Sequence, residues 1–261
     1  MRLALGLSYW GGPYQGWQSQ PSGQTVQDRL EAALAAFATH PVSTLCAGRT
    51  DAGVHALMQV VHFDTPLRRE MFSWVRGVNA HLPADIAVQW AREVPPDFHA
   101  RARARARRYA YVALESPVRP SVEAGRVGWV FRPLDGAAMR EASARLIGEH
   151  DFTSFRASAC QALSPVKHLH RLEIRQRGAY WRFDFEANAF LHHMIRNIMG
   201  CLIQIGQGLQ PPEWIGQVLA ARDRNAAAPT FAPDGLYFLG PVYDSQWELP
   251  ERTPAYDWLP S

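Results

Sequence analysis

The sequence predicts an α+β fold built as two layered halves, each a ferredoxin-like-related α/β sandwich with a largely antiparallel sheet. Three observations carry this. Segments of strand and helix period follow one another as βαββαβ up to Trp90, Val94-Pro95-Pro96-Asp97 interrupts the pattern, and a second set of longer strands and helices follows.

Leu3, Leu5, Leu7 and Tyr9 alternate as in a half-buried strand that stops at Gly11-Gly12-Pro13. Thr25 caps the next segment, a helix with Asp28 at the capping-box position and Val26, Leu30, Leu34 and Phe37 along one face. Strands are expected around Val42 to Ala47 and Ala56 to Phe63, then a helix through Met71, Trp74, Val75 and Val78, then a strand near Ile86 to Trp90. The expected domain boundary lies at residue 97, separating 1–97 from 98–261.

The second half opens with a strand near Arg105 to Leu114, and Asp135 caps a helix with Met139, Leu146 and Ile147. Leu172 and Ile174, the Arg177-Gly178-Ala179 turn, then Trp181, Phe183 and Phe185 read as a hairpin. A long helix is expected from about Phe190 to Ile205. Pro211-Pro212 opens a shorter one with Ile215, Val218 and Leu219, and Leu236 to Leu239 supplies a last strand.

At 261 residues and 47% hydrophobic, the chain can bury a sizeable core, which excludes disorder as its default state. It has no run of about 18 apolar residues for a membrane helix, and its start shows no cleavage-like site, so a protein that is not exported is expected. Cys46, Cys160 and Cys201 are odd in number and form no C-x-x-C pair, which fits a reducing cytoplasm and points to neither a disulfide framework nor a zinc site. The net charge of +3 says little about partners. The basic set says more: of 27 basic residues only Lys167 is a lysine, and planar arginine forks suit phosphate, although genomic base composition is the favoured explanation of the bias.

Gly48-Arg49-Thr50-Asp51-Ala52-Gly53-Val54-His55 links two strands and lets the backbone bend sharply around one outward carboxylate, Asp51. Taken alone it is also an ordinary tight turn. Five arginines, Arg101, Arg103, Arg105, Arg107 and Arg108, fall within eight positions. In an extended segment the first four share a face about 6.6 Å apart, near the phosphate spacing of a nucleic-acid strand. Tyr109 and Tyr111 continue that parity, so forks and rings together suit an RNA backbone with an unstacked base. A solvated edge strand kept apart by charge is the plain alternative.

The helix from Phe190 is apolar nearly all round, with Arg196 its only charge. A buried guanidinium needs a carboxylate, and Asp51 is the candidate; such a pair keeps Asp51 ionised as nucleophile or base. His192 and His193, adjacent on a helix, point about 100° apart, so no metal is expected there. The absence of G-x-G-x-x-G, G-x-x-x-x-G-K-[ST] and G-x-S-x-G removes the common nucleotide and hydrolase signatures, and no cofactor is expected.

Read together, Gly16-Trp17-Gln18, Cys46 through Ala56, Gly77-Val78-Asn79-Ala80, Asp97 through Arg101, Arg107-Arg108-Tyr109, Asp151 through Arg156, and Asn188 through Asn197 resemble the TruA family of tRNA pseudouridine synthases. Trp10 departs from it, standing where the family's first loop reads Tyr-Asp-Gly. The resemblance implies isomerisation of uridine to pseudouridine at positions 38, 39 and 40 of the tRNA anticodon stem-loop by a cytoplasmic homodimer without metal or cofactor, with the RNA in a cleft between the halves. It assigns Asp51 as the catalytic carboxylate, Tyr109 to the uracil, Arg196 to pairing with the Asp, and Arg49 to filling the gap left by a flipped base. The run from Arg101 to Arg108 would hold the tRNA backbone. Whether Asp51 adds to the sugar or acts as a base on a glycal route is open at this stage. Two rivals remain: a non-catalytic tRNA-binding or chaperone protein on the same scaffold, and a glycosidase, which needs a second carboxylate that no motif ties to Asp51.

Overall fold

Apolar residues fill every inner position from Leu3 to Leu7, and Arg2–Tyr9 forms strand β1 in the computed structural model, which describes residues 1–158, 160 and 162–251. By chain contacts the molecule divides into two units, Met1–Arg107 with residues 237–251, and Arg108–Leu236. The first unit continues with helix α1 (Val26–Ala38), strands β2 (Leu45–Cys46) and β3 (His55–Asp64), helix α2 (Met71–Asn79) and strand β4 (Ile86–Val94). Strands β5 (Ala106–Glu115), β6 (Gly128–Val130), β7 (Gly148–Asp151), β8 (Val166–Arg177) and β9 (Tyr180–Ala187) follow, with helices α3 (Gly136–Ala144), α4 (Met194–Gly206) and α5 (Trp214–Ala221). Strand β10 (Leu236–Val242) then rejoins the first unit. The chain is thus mixed α+β with mostly antiparallel pairing. No helix among the described residues is long and apolar enough to cross a membrane.

In the first unit β1 lies between β4 and β3, antiparallel to both, and β3 also carries β2 antiparallel and β10 parallel. Leu3 faces Phe63 in register, and Trp74 of α2 packs edge-on against Phe63 and against Phe37 of α1, so the helices cover the Leu3–Leu5–Leu7 face. The opposite face, expected to meet solvent, is buried too. Ala4 and Val60 lie in a cluster with Phe98, Ala100 and Trp247, contributed by the segments that follow β4 and β10. Thr25 caps α1 as expected, its hydroxyl accepting the Asp28 amide at 3.2 Å.

In the second unit β9 lies between β5 and β8, β7 flanks β8, and β6 runs parallel to β5. The hairpin register pairs Leu172 with Phe185 and Ile174 with Phe183, and Gly178 takes the left-handed turn at φ 59°. Asp135 caps α3 by accepting the amides of Ala137 and Ala138 at 2.8 and 3.0 Å. That helix ends at Ala144, so Leu146 and Ile147 lie in the segment that leads to β7, which Gly148 opens at φ 103°. Strands β6 and β7, three and four residues long, carry too little periodicity to be foreseen.

The long helix begins four residues later than its apolar pattern predicts. His193 sits in the left-handed region at φ 62° and ends a lead-in tied down by the Ala157 amide, which donates to the His192 carbonyl at 3.0 Å. His192 and His193 therefore lie outside α4, and their rings lie together, tilted at 44° with centroids 4.0 Å apart, instead of diverging. The body of α4 is buried nearly all round, as its composition requires.

Candidate active site

Asp51 stands half-buried in the loop from Ala47 to Val54, between β2 and β3. The loop is anchored along its length. The Ala47 amide donates to the Val60 carbonyl at 2.8 Å, the Gln59 amide side chain to the Gly48 carbonyl at 2.5 Å, and the Trp17 amide to the Thr50 carbonyl at 3.0 Å. Thr50, next to Asp51, also shares a buried 2.8 Å hydrogen bond with the Tyr9 phenol. Burial pushes the Tyr9 pKa far up, so the phenol stays a neutral partner. On the far side the Gly53 amide reaches the Tyr14 carbonyl at 3.3 Å, and Gly53 adopts φ 78°.

The segment from Trp10 to Trp17 is thus a second layer beneath the Asp51 loop. Its closest approach is at Gly11, where an added Cβ would stand 1.9 Å from the Val54 carbonyl oxygen, and the Gly11 amide donates to Nδ1 of buried His55 at 3.0 Å. Trp10 itself is 43% exposed. Tyr14 closes the layer by donating to Asp85 at 2.6 Å.

Arg49 is exposed on the same loop. Its charge and that of Arg101 both reach Cys46, whose thiol burial nevertheless pushes up to about 11.

The arginine run departs from the extended reading. His99 accepts the amides of Arg101 and Ala102 on its ring Nδ1 and that of Arg103 on its carbonyl, so 99–104 coils and β5 starts only at Ala106. Arg101, Arg103 and Arg105 are exposed on this turn without a strand's even spacing. Arg103 pairs with Asp97 at 3.1 Å and lies over the Trp247 ring, and Arg105 pairs with Asp244. Arg107, expected on phosphate, is half-buried instead and gives its guanidinium to the backbone carbonyls of Ala47, Arg101 and Ala104. Arg108 is half-buried, and its buried Nε has no hydrogen-bond partner among the described residues.

In the second unit Tyr109 is 7% exposed, its ring edge-on to Phe190 at 5.2 Å, while Tyr111 is fully buried and donates to the Ala232 carbonyl at 2.8 Å. Tyr111 is therefore core. Arg196, on the first turn of α4, is half-buried; its Nε donates to the Phe231 carbonyl at 2.9 Å and its own carbonyl accepts the Phe231 amide.

Residues 7–101 and 142–244 match the family described as tRNA pseudouridine synthase. The chain belongs to the tRNA pseudouridine synthases. Proteins called tRNA pseudouridine synthase A are similar over the full length of both chains, at 70% identity from Paracidovorax citrulli, 72% from Polaromonas naphthalenivorans and 71% from Methylibium petroleiphilum. As a tRNA pseudouridine synthase the protein is an isomerase of tRNA uridine. The matched segments contain Arg49, Asp51 and Arg196, and Tyr109 falls between them.

Sequence reasoning missed the supports of the Asp51 loop, chiefly Tyr9, Gln59 and Arg107. Tyr9 offered one signal, a phenolic hydroxyl at an otherwise apolar strand position, which when buried requires a partner.

Proposed function

We propose that this tRNA pseudouridine synthase acts at positions 38, 39 and 40 of the anticodon stem-loop, as a cytoplasmic homodimer with no metal or cofactor. Asp51 is the catalytic carboxylate. The first unit supplies it with Arg49, and the second supplies Tyr109 and Arg196, so that two ferredoxin-like-related halves serve one RNA between them. The isomerisation breaks the bond from ribose C1′ to uracil N1, turns the base and joins C1′ to C5; the C5 proton leaves to water and N1 gains one. No electrons are exchanged. A carboxylate serves either by adding to C1′ or by taking a proton on a glycal route.

Arg196 pairs with Asp51, Tyr109 stacks on the uracil, and Arg49 enters the stem where the uridine has left. Arg101, Arg103 and Arg105 hold the backbone, with Arg108 beside them. The observation that carries this reading is the Asp51 loop, where a half-buried carboxylate stands on backbone fixed on both sides by hydrogen bonds, with Thr50 also held by the buried Tyr9 phenol. Such preorganisation is what a single-carboxylate reaction requires.

The test uses unmodified tRNA tritiated at uracil C5, with the wild-type protein and Asp51→Ala, and maps pseudouridine in the product. Tritium released by wild type alone, with the modification at 38 to 40, is the expected result. Release by Asp51→Ala removes that residue from the chemistry, and pseudouridine elsewhere removes the positional assignment. Free uracil would mark a hydrolase.

A further inference from the structure

Arg107 spends four hydrogen bonds on main-chain oxygen. Nε and Nη2 both point at the Ala47 carbonyl, at 3.3 and 3.2 Å, Nη1 donates to Ala104 at 2.9 Å, and Nη2 donates to Arg101 at 2.5 Å. These carbonyls belong to two functional segments that are far apart in sequence. Ala47 is the base of the Asp51 loop, four residues before the carboxylate. Arg101 and Ala104 lie in the turn that exposes Arg101, Arg103 and Arg105.

The turn is also anchored away from the Asp51 loop. It is fastened below by the Ala100 amide on His62 Nδ1 and by the Tyr243 phenol on the Ala100 carbonyl, at 3.2 and 2.6 Å. At its end the Arg105 amide meets the Val242 carbonyl at 2.8 Å. A guanidinium is the side chain suited to this place, since its planar fork meets several carbonyls at once where an ammonium on a flexible stem meets fewer.

We propose that Arg107 is a positioning residue for the isomerisation: it locks the arginine turn to the base of the Asp51 loop, so that RNA phosphates seated on the turn fix where Asp51 stands. This rests on the reading of Asp51 as the catalytic carboxylate. It gives Arg107 a role in turnover and none in phosphate contact, and so separates it from its neighbours in the run.

Arg107→Lys keeps the charge and loses the fork. The expected result is a fall in kcat of about 10- to 100-fold, the scale of a misplaced reacting group, with KM within about twofold of wild type. The salt dependence of tRNA binding is unchanged. Arg103→Gln instead raises KM and flattens the salt dependence by roughly 0.7–0.9 in log–log slope, the share of one phosphate contact. A phosphate-binding Arg107 gives the reverse, with Arg107→Lys near wild type in kcat and Arg107→Gln matching Arg103→Gln in slope, and that result overturns the proposal. A merely structural Arg107 lowers the melting temperature while kcat below melting stays at the wild-type value, which overturns it equally.

Hydrogen exchange on the wild-type protein tests the lock without any variant. Locked segments open together, so amides in 101–105 and 47–54 show protection within about tenfold of one another. A turn that exchanges more than about 100-fold faster than the loop is not locked to it. Asp51→Ala, run in parallel, keeps the two readings apart: if it retains turnover the assignment of Asp51 fails, whereas full turnover by Arg107→Lys beside an inactive Asp51→Ala removes only the role of Arg107.

Discussion

Lowering the pH should loosen the anchor of the arginine turn through one buried histidine. His62 on β3 is 3% exposed and accepts the Ala100 amide on Nδ1, so protonating that nitrogen sets a donor against a donor. Its ring meets those of Phe98 and His99 at 6.0 and 4.8 Å. Burial first, then the charges of His99 and Arg2, push its pKa down to about 4 against the opposing pull of Asp64 and the Leu45 carbonyl. A folded-state pKa below the unfolded value near 6.5 means that the unfolded chain takes up the proton first. The stability contributed by neutral His62 is therefore complete above about pH 6.5 and is lost as the pH falls through that value toward 4.

At about pH 5 such a shift corresponds to about 1–2 kcal/mol. His62→Asn keeps an acceptor near Nδ1 and removes the titration. Urea unfolding at about pH 7.5 and pH 5, followed by tryptophan fluorescence, should show wild type losing about 1 kcal/mol more than His62→Asn. Equal losses in the two proteins would refute the reasoning, because every other titrating group is common to both.

Two further substitutions probe the supports of each unit. Gly11→Ala places a Cβ 1.9 Å from the Val54 carbonyl oxygen, backbone against side chain with no room to relax, and should lower tritium release by about 10- to 100-fold through displacement of the Asp51 loop; a wild-type rate would show that the loop yields freely. Asn197→Ala removes a fully buried amide that donates to the Phe155 carbonyl at 2.8 Å and accepts from Thr230 and Arg224 at 2.7 and 3.1 Å. Stranding those partners should cost about 2–4 kcal/mol in thermal or urea unfolding, and a loss under about 1 kcal/mol would mean that the network is not buried in solution.

The elements that sequence alone revealed are those whose period is strong and whose ends carry chemistry. Thr25, Asp135 and Gly178 mark their helix starts and turn because a hydroxyl, a carboxylate and a left-handed glycine do locally what the backbone needs. Tertiary context overrode the pattern in two places. The apolar run from Phe190 has helical composition, but its first four residues are held by partners elsewhere, with the His192 amide and carbonyl meeting Cys160 and Ala157. In the arginine run, alternation of Arg and Ala fits a strand, yet the His99 ring captures the amides that a strand would have offered to a neighbour.

The same distinction explains why the residues proposed to react stand out in the sequence and their supports do not. A carboxylate between glycines and an arginine in an apolar helix are out of place for a core, so they are visible as departures from pattern. The groups that hold the carboxylate violate nothing. Tyr9 ends an apolar strand, Gln59 is one polar residue among apolar ones, and Arg107 is one arginine among five; each acts through backbone oxygens or a neighbouring hydroxyl that any sequence would provide. Their partners are set by chain geometry, which is why substitutions at such positions should alter turnover before they alter any recognisable motif. If Arg107→Lys slows turnover at wild-type KM, the arginine run contains two functions, salt-sensitive contact by the exposed heads and salt-insensitive alignment by the buried one.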